Sequence, residues 1–90
     1  MLFTWDEKKR LSNIKKHGID FTRAAEIFAG PTFTWEDDRF DYGEQRWITM
    51  GLMGSQVVVL VVHTESTEEL HVISIRKADK DEQALFFSNV

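Results

Sequence analysis

Apolar positions along this chain follow two different periods, and the change from one to the other divides it. Phe21, Ala24, Ala25 and Phe28 fall at i, i+3, i+4 and i+7, the stripe of a helix with one buried face. Asp20 opens that segment and Gly30-Pro31 closes it, which predicts a helix over 20–29. An earlier helix is legible from its ends rather than its face. Asp6 reads as an N-cap with Glu7 in the first turn, and Lys15, Lys16 and His17 fill the last turn, where cations suit the carbonyl end of the dipole. Gly18 fits the left-handed position beyond that end, which makes Ile14 and Ile19 the touching pair of a Schellman cap. Leu11 and Ile14 are this helix's only obvious core residues, so tertiary docking must hold it.

After Pro31 the period becomes two. Residues 32–36 alternate with Phe33 and Trp35 on one face. Residues 46–53 follow with Ile48, Met50 and Leu52, and residues 56–64 are almost wholly apolar, as a central strand requires. Gly54-Ser55 between them reads as a two-residue hairpin turn with glycine first. Residues 65–68 turn, and residues 70–76 return as the next strand. Near the start, Phe3-Thr4-Trp5 alternates and reads as a short edge strand. Asp79 and Glu82 form a capping-box pair opening a last helix, with Leu85 and Phe86 facing inward. The order is two N-terminal helices, a four-stranded antiparallel sheet with that short edge strand beside it, and a C-terminal helix. Segregated helices and strands make this α+β rather than doubly wound.

Composition narrows the picture. Ninety residues make one domain, 1–90, with no room for a second core. There is no cysteine, hence no disulfide framework and no thiolate metal site. The longest apolar run, Val57 to Val62, is far too short to span a bilayer, and the first residues lack the pattern of a signal peptide, so a cytoplasmic protein is expected. The net charge of −4 conceals a gradient. Residues 1–30 carry six Lys/Arg against four Asp/Glu, residues 31–45 one against five, and residues 46–90 four against six. An acidic chain is a poor general nucleic-acid binder, but its basic N-terminal third leaves room for a local RNA site. The acidic middle suits a basic partner surface.

The candidate chemistry is sparse. His17, His63 and His71 are the only histidines, and no two stand at i, i+4 on a helix, so no metal or cofactor motif is present. Lys16 and His17 complement the first helix's dipole, or form a cationic spot for a phosphate with His17 as acid or base. His63 shares a strand face with Val57, Val59 and Val61; it is either a half-buried histidine or a rim group facing a groove. Arg46, two residues after Glu44, and Arg76 fit a structural pair and a phosphate clamp equally well. The loop carboxylates Glu36, Asp37, Asp38 and Asp41 are most simply solvated.

Taken in order, the motifs are more specific than any one of them. Trp5-Asp6-x-Lys8 is followed by Asn13-x-x-Lys16-His17-Gly18-Ile19-x-Phe21, then Ala24 and Phe28. Gly43-Glu44-x-Arg46, Gly51, His63-Thr64-Glu65, Ile73-Ser74-x-Arg76-Lys77-Ala78 and Glu82 complete the series. In this ordered set the chain resembles the BrnT family of bacterial toxin–antitoxin systems over nearly its whole length. The resemblance implies a compact RelE-like fold and a metal-independent endoribonuclease that cleaves RNA and inhibits translation. It implies as partner a BrnA-type ribbon-helix-helix antitoxin, through which alone DNA would be contacted; no membrane is involved. Arg46 and Arg76 are then the expected phosphate-binding residues, Lys16 an added charge, and His17, His63 and Glu44 the candidate acids and bases. The chain departs from the family pattern at Arg23, where glutamate is usual, at Ser66 and His71, where arginine is usual, and at Gln83 and Phe86, which replace arginine and tyrosine. These changes remove positive charge and a phenol. The alternative they raise is a weakened toxin acting mainly as antitoxin partner and co-repressor.

Overall fold

The computed structural model describes all 90 residues. Its elements are β1 (Leu2–Trp5), α1 (Glu7–His17), a 3-10 turn (Phe21–Arg23), α2 (Ala24–Ala29), β2 (Phe33–Glu36), β3 (Trp47–Met53), β4 (Val57–Glu65), β5 (Glu69–Lys77) and α3 (Lys80–Asn89). They form one five-stranded sheet in the order β1-β5-β4-β3-β2. The four later strands are the expected antiparallel meander. The edge strand is integral to the sheet and runs parallel to β5, Leu2 opposite Glu69 through Trp5 opposite Val72. The sheet is therefore mixed, not purely antiparallel.

Helices cover both faces, because the central strands are apolar on both. Val59, Val61, Leu70, Val72 and Ile75 pack under Ile19, Phe21, Ala24 and Ile27. Ile48, Met50, Val58 and Leu60 pack on the other face against Ala78, just before α3, and Phe86 of α3. Completely burying a side chain such as Phe86 contributes roughly 2–3 kcal/mol.

Several sequence expectations shift in detail. The second helix begins as a 3-10 turn capped by Asp20, whose side chain accepts from the Thr22 N–H. Tighter winding over those residues rotates the stripe, so Ile27 is buried in place of Ala25, which is exposed. Leu11 and Leu85, expected inside, are 55% and 44% exposed. The buried residue of α1 is instead Asn13. The α1 cap is left-handed at Gly18 (φ 72°), as expected. Its single bond from the Gly18 N–H to the Ile14 carbonyl (2.8 Å) is the simple left-handed motif, not the paired Schellman arrangement. Between β3 and β4, Met53 pairs with Val57, so the connection has a third residue, Gln56, and both Gly54 and Ser55 take positive φ. The capping box of Asp79 and Glu82 is formed.

Candidate functional site

The C-terminal half of α1 lies along β5 beyond the point where β1 ends. One polar stripe of the helix, at i, i+3, i+4 and i+7, faces that stretch: Lys9, Ser12, Asn13 and Lys16. Asn13 is the anchor. Its amide donates to the carbonyls of Ile19 and Ile75, each at 2.9 Å, and its Oδ1 accepts from the Ile75 N–H at 3.2 Å. Around it, Lys9, Ser12, Lys16 and His17 of α1 and Ile73 and Ser74 of β5 line an open concavity. Ile73 is the extra residue where the register of β5 slips against β4, between Val62 opposite Ser74 and His63 opposite Val72. A bulge of this kind re-aims side chains at a strand edge. The concavity holds three basic side chains and two hydroxyls, and its lining contains no carboxylate.

Arg76 is two residues beyond Ser74 on the same strand face, about 6–7 Å along the strand. Its guanidinium makes a two-pronged pair with Glu82 of α3, at 2.8 and 2.7 Å, and also donates to the Lys77 carbonyl. That carboxylate raises the arginine's pKa and is itself lowered by it. The Arg76 side chain remains 41% exposed.

Arg46 belongs to the neighbouring 37–46 loop, whose Arg39 is close enough to oppose the rise in the Arg76 pKa. Arg46 lies just before β3, and Arg76 opposes Leu60, which opposes Met50 of β3. Arg46 precedes Met50 by four positions, about 13 Å along the strand. Arg46 pairs with Glu44 at 2.8 Å and lies over the Tyr42 ring, 4.0 Å from its centroid. In the same loop Asp37 is buried, bound by Arg39 at 2.7 and 2.9 Å and by the Tyr42 hydroxyl at 3.0 Å. The Arg39 bonds, with help from Tyr42, hold its carboxyl down at about 2. Asp37 is thus a structural residue of the loop, not one of its solvated carboxylates.

His63 is neither half-buried nor at a rim; it is completely enclosed. Its Nε2 is 2.7 Å from the Thr49 hydroxyl, which is 2.7 Å from the Thr34 hydroxyl. Phe28 meets the imidazole edge-on at 5.2 Å. Burial pushes its pKa down to about 4. In this conformation a solvent-borne phosphate does not reach it. No group of three or more His, Asp or Glu side chains is arranged to hold a metal.

The structure therefore joins Lys16 and His17 with Ser74 and, next along the strand, Arg76. Glu44 and Arg46 pair with each other beside the Tyr42 ring and do not line the recess, and His63 belongs to the core. Sequence reasoning missed Lys9 and Ser12 as members of the site. Their signal was present in the helical spacing of polar residues 9, 12, 13 and 16, read for apolar residues alone.

Such a small mixed sheet, covered by helices on both faces, has a counterpart among solved ribonuclease toxins. The crystal structure of the Brucella abortus ribonuclease toxin BrnT is similar, with 28% identity and a TM-score of 0.65 over 89% of this chain and all of that one. No functionally curated protein sequence matches. The family model described as "Ribonuclease toxin, BrnT, of type II toxin-antitoxin system" matches residues 5–82, and the chain belongs to that BrnT family.

Proposed function

We propose that the protein is a metal-independent endoribonuclease, the toxin of a type II pair, which cleaves RNA and inhibits translation until a BrnA-type ribbon-helix-helix antitoxin neutralises it. The observation that carries this reading is the recess between α1 and β5, where Lys9, Lys16 and His17 meet the hydroxyls of Ser12 and Ser74 with no lining carboxylate. A phosphodiester in that recess would meet positive charge and hydroxyl donors together.

The chemistry is transesterification. A base removes the proton of a ribose 2′-OH, whose oxygen attacks the adjacent phosphorus. The bond to the 5′ oxygen of the next nucleotide breaks, and an acid protonates that leaving oxygen. The lysines, and Arg76 once turned from Glu82, stabilise the charge that develops on the phosphorane. His17, half-buried at the recess, is the proton-transfer group on hand; His63, enclosed, is not used. Inducing the protein without antitoxin while following RNA integrity tests the reading. Rapid RNA cleavage with growth arrest is expected, and normal growth at full expression would sink it.

One specific observation favours the second reading, a weakened toxin acting as antitoxin partner and co-repressor. Both arginines expected to clamp phosphate are already neutralised, Arg46 by Glu44 and Arg76 by Glu82. Operator repression that requires the protein, without RNA cleavage, would establish this alternative.

A further inference from the structure

A second recess lies on the α1/α2 face, where α2 crosses the β1 end of the sheet. Met1, Phe3 of β1, Leu70 of β5 and Ala25, Phe28 and Ala29 of α2 form its walls. The one polar lining residue is Glu65, at the end of β4. Its carboxylate is 42% exposed, and no lysine, arginine or terminal amine comes within 4 Å. Its nearest basic atom is Nδ1 of His63, at 3.4 Å. Burial keeps that imidazole neutral near pH 7, and its Nδ1 has no hydrogen-bond partner. Phe28 is shared, walling the groove on one side and covering the His63 ring on the other.

The groove is thus an apolar trough with one unneutralised carboxylate at its edge and an unpartnered buried nitrogen behind that carboxylate. An aliphatic or aromatic side chain would fill the trough, and a neighbouring cation would satisfy Glu65. RNA fits poorly, because Glu65 repels phosphate and the lining side chains offer no donor.

We infer that this groove docks the antitoxin, through a segment that sets an apolar side chain against Phe3, Phe28 and Leu70 and a lysine or arginine against Glu65. The inference rests on the toxin reading, which supplies the partner. Glu65 and Ala25 are exposed and lie outside the α1–β5 recess, so both can be changed without touching the cationic site.

The test titrates the purified protein with the product of the reading frame adjoining its gene. Glu65→Lys and Ala25→Arg should each weaken binding at least 10-fold, Glu65→Gln by less, and Glu65→Lys should remove much of the salt dependence. Melting temperature and growth arrest in the absence of antitoxin should stay as in the parent. Undiminished binding by both variants overturns the groove while leaving the toxin reading intact. No binding by the parent overturns the antitoxin reading and the groove with it, whereas RNA cleavage would still be measured independently. Sedimentation of the protein alone covers the remaining occupant: a dimer abolished by both variants assigns the groove to a second copy and overturns the proposal.

Discussion

Asn13 and Ile75 exchange two hydrogen bonds, one in each direction, across 62 residues of sequence. β1 ends at Trp5 opposite Val72, and the Asn13 amide takes the place of a further strand residue at Ile75. The same amide holds the Ile19 carbonyl just past the α1 cap. All of these groups are buried, where an unpaired amide or carbonyl costs about 1–3 kcal/mol. Asn13→Ala should therefore lower stability by roughly 3 kcal/mol and also loosen α1 against β5. Urea unfolding measures the first effect, and hydrogen exchange at the Ile75 amide measures the second. A loss below about 0.5 kcal/mol would show that solvent replaces the side chain.

Stability should depend on pH through His63. The ring is neutral in the fold, with its pKa pushed from 6.5 to about 4, and takes up a proton more readily once the chain unfolds. Protons thus favour the unfolded state. This contribution is complete above about pH 6.5 and is lost as pH falls toward 4, by up to about 3 kcal/mol. The lowered carboxyls of Asp20, Glu26, Asp37 and Glu82 act in the same direction but at lower pH, since each ionises at or below 4.5 even unfolded. Unfolding free energies between pH 6.5 and 4.5 isolate the histidine. His63→Gln should flatten the curve there, and an unchanged slope would show that another group is responsible.

Element type and order were legible because each rests on local signals: two-residue alternation, N-caps at Asp6, Asp20 and Asp79, and glycine after α1. What escaped depends on contacts distant in sequence. Nothing within Phe3-Thr4-Trp5 specifies a parallel partner sixty-seven residues away. Asn13 is polar, and only the open edge of β5 makes its burial favourable. Ala25 yields to Ile27 because a 3-10 start turns the helix by a fraction of a turn. At the site, Lys16 and His17 were legible as a helix end, but their neighbour Ser74 comes from the far end of the chain. That Arg46 stands four positions out of register with Arg76 follows from strand pairing, which residue type alone does not encode.

Gly51 sits at the closest approach of α2 to the sheet. A Cβ built there would lie 2.7 Å from Ile27 Cγ2 and 3.2 Å from the Ile27 carbonyl oxygen. The carbonyl belongs to helix backbone and yields little. Gly51→Ala should cost about 1–3 kcal/mol through overpacking. Ile27→Ala in the same chain removes Cγ2 itself, so the double variant should lose less than the sum of the two single losses. Thermal melts of the two single variants and the double variant measure the coupling; strict additivity would exclude a direct clash.

The final prediction separates phosphate binding from scaffolding at the arginines. Arg76→Ala breaks its pair with Glu82, but the arginine is 41% exposed, and a partly exposed pair contributes about 0–1 kcal/mol. The variant should stay folded. If Arg76 serves the cationic recess, RNA cleavage should fall by roughly 10²–10³, the usual loss on removing one transition-state donor. Glu82→Gln is the informative companion, since it releases Arg76 without removing it. Cleavage should hold or rise in that variant if the pair merely parks the guanidinium, whereas a matching fall would mean that Glu82 aims it. Lys16→Ala and His17→Ala, on the other wall of the recess, should also lose cleavage. His17→Ala should in addition lose the acidic or basic limb of the pH–rate profile, which Lys16→Ala retains. Arg46→Ala should retain cleavage, because its guanidinium is committed to Glu44 and the Tyr42 ring and does not line the recess. Equal losses from Arg46→Ala and Arg76→Ala would instead join the two arginines in one RNA path across the α3 face.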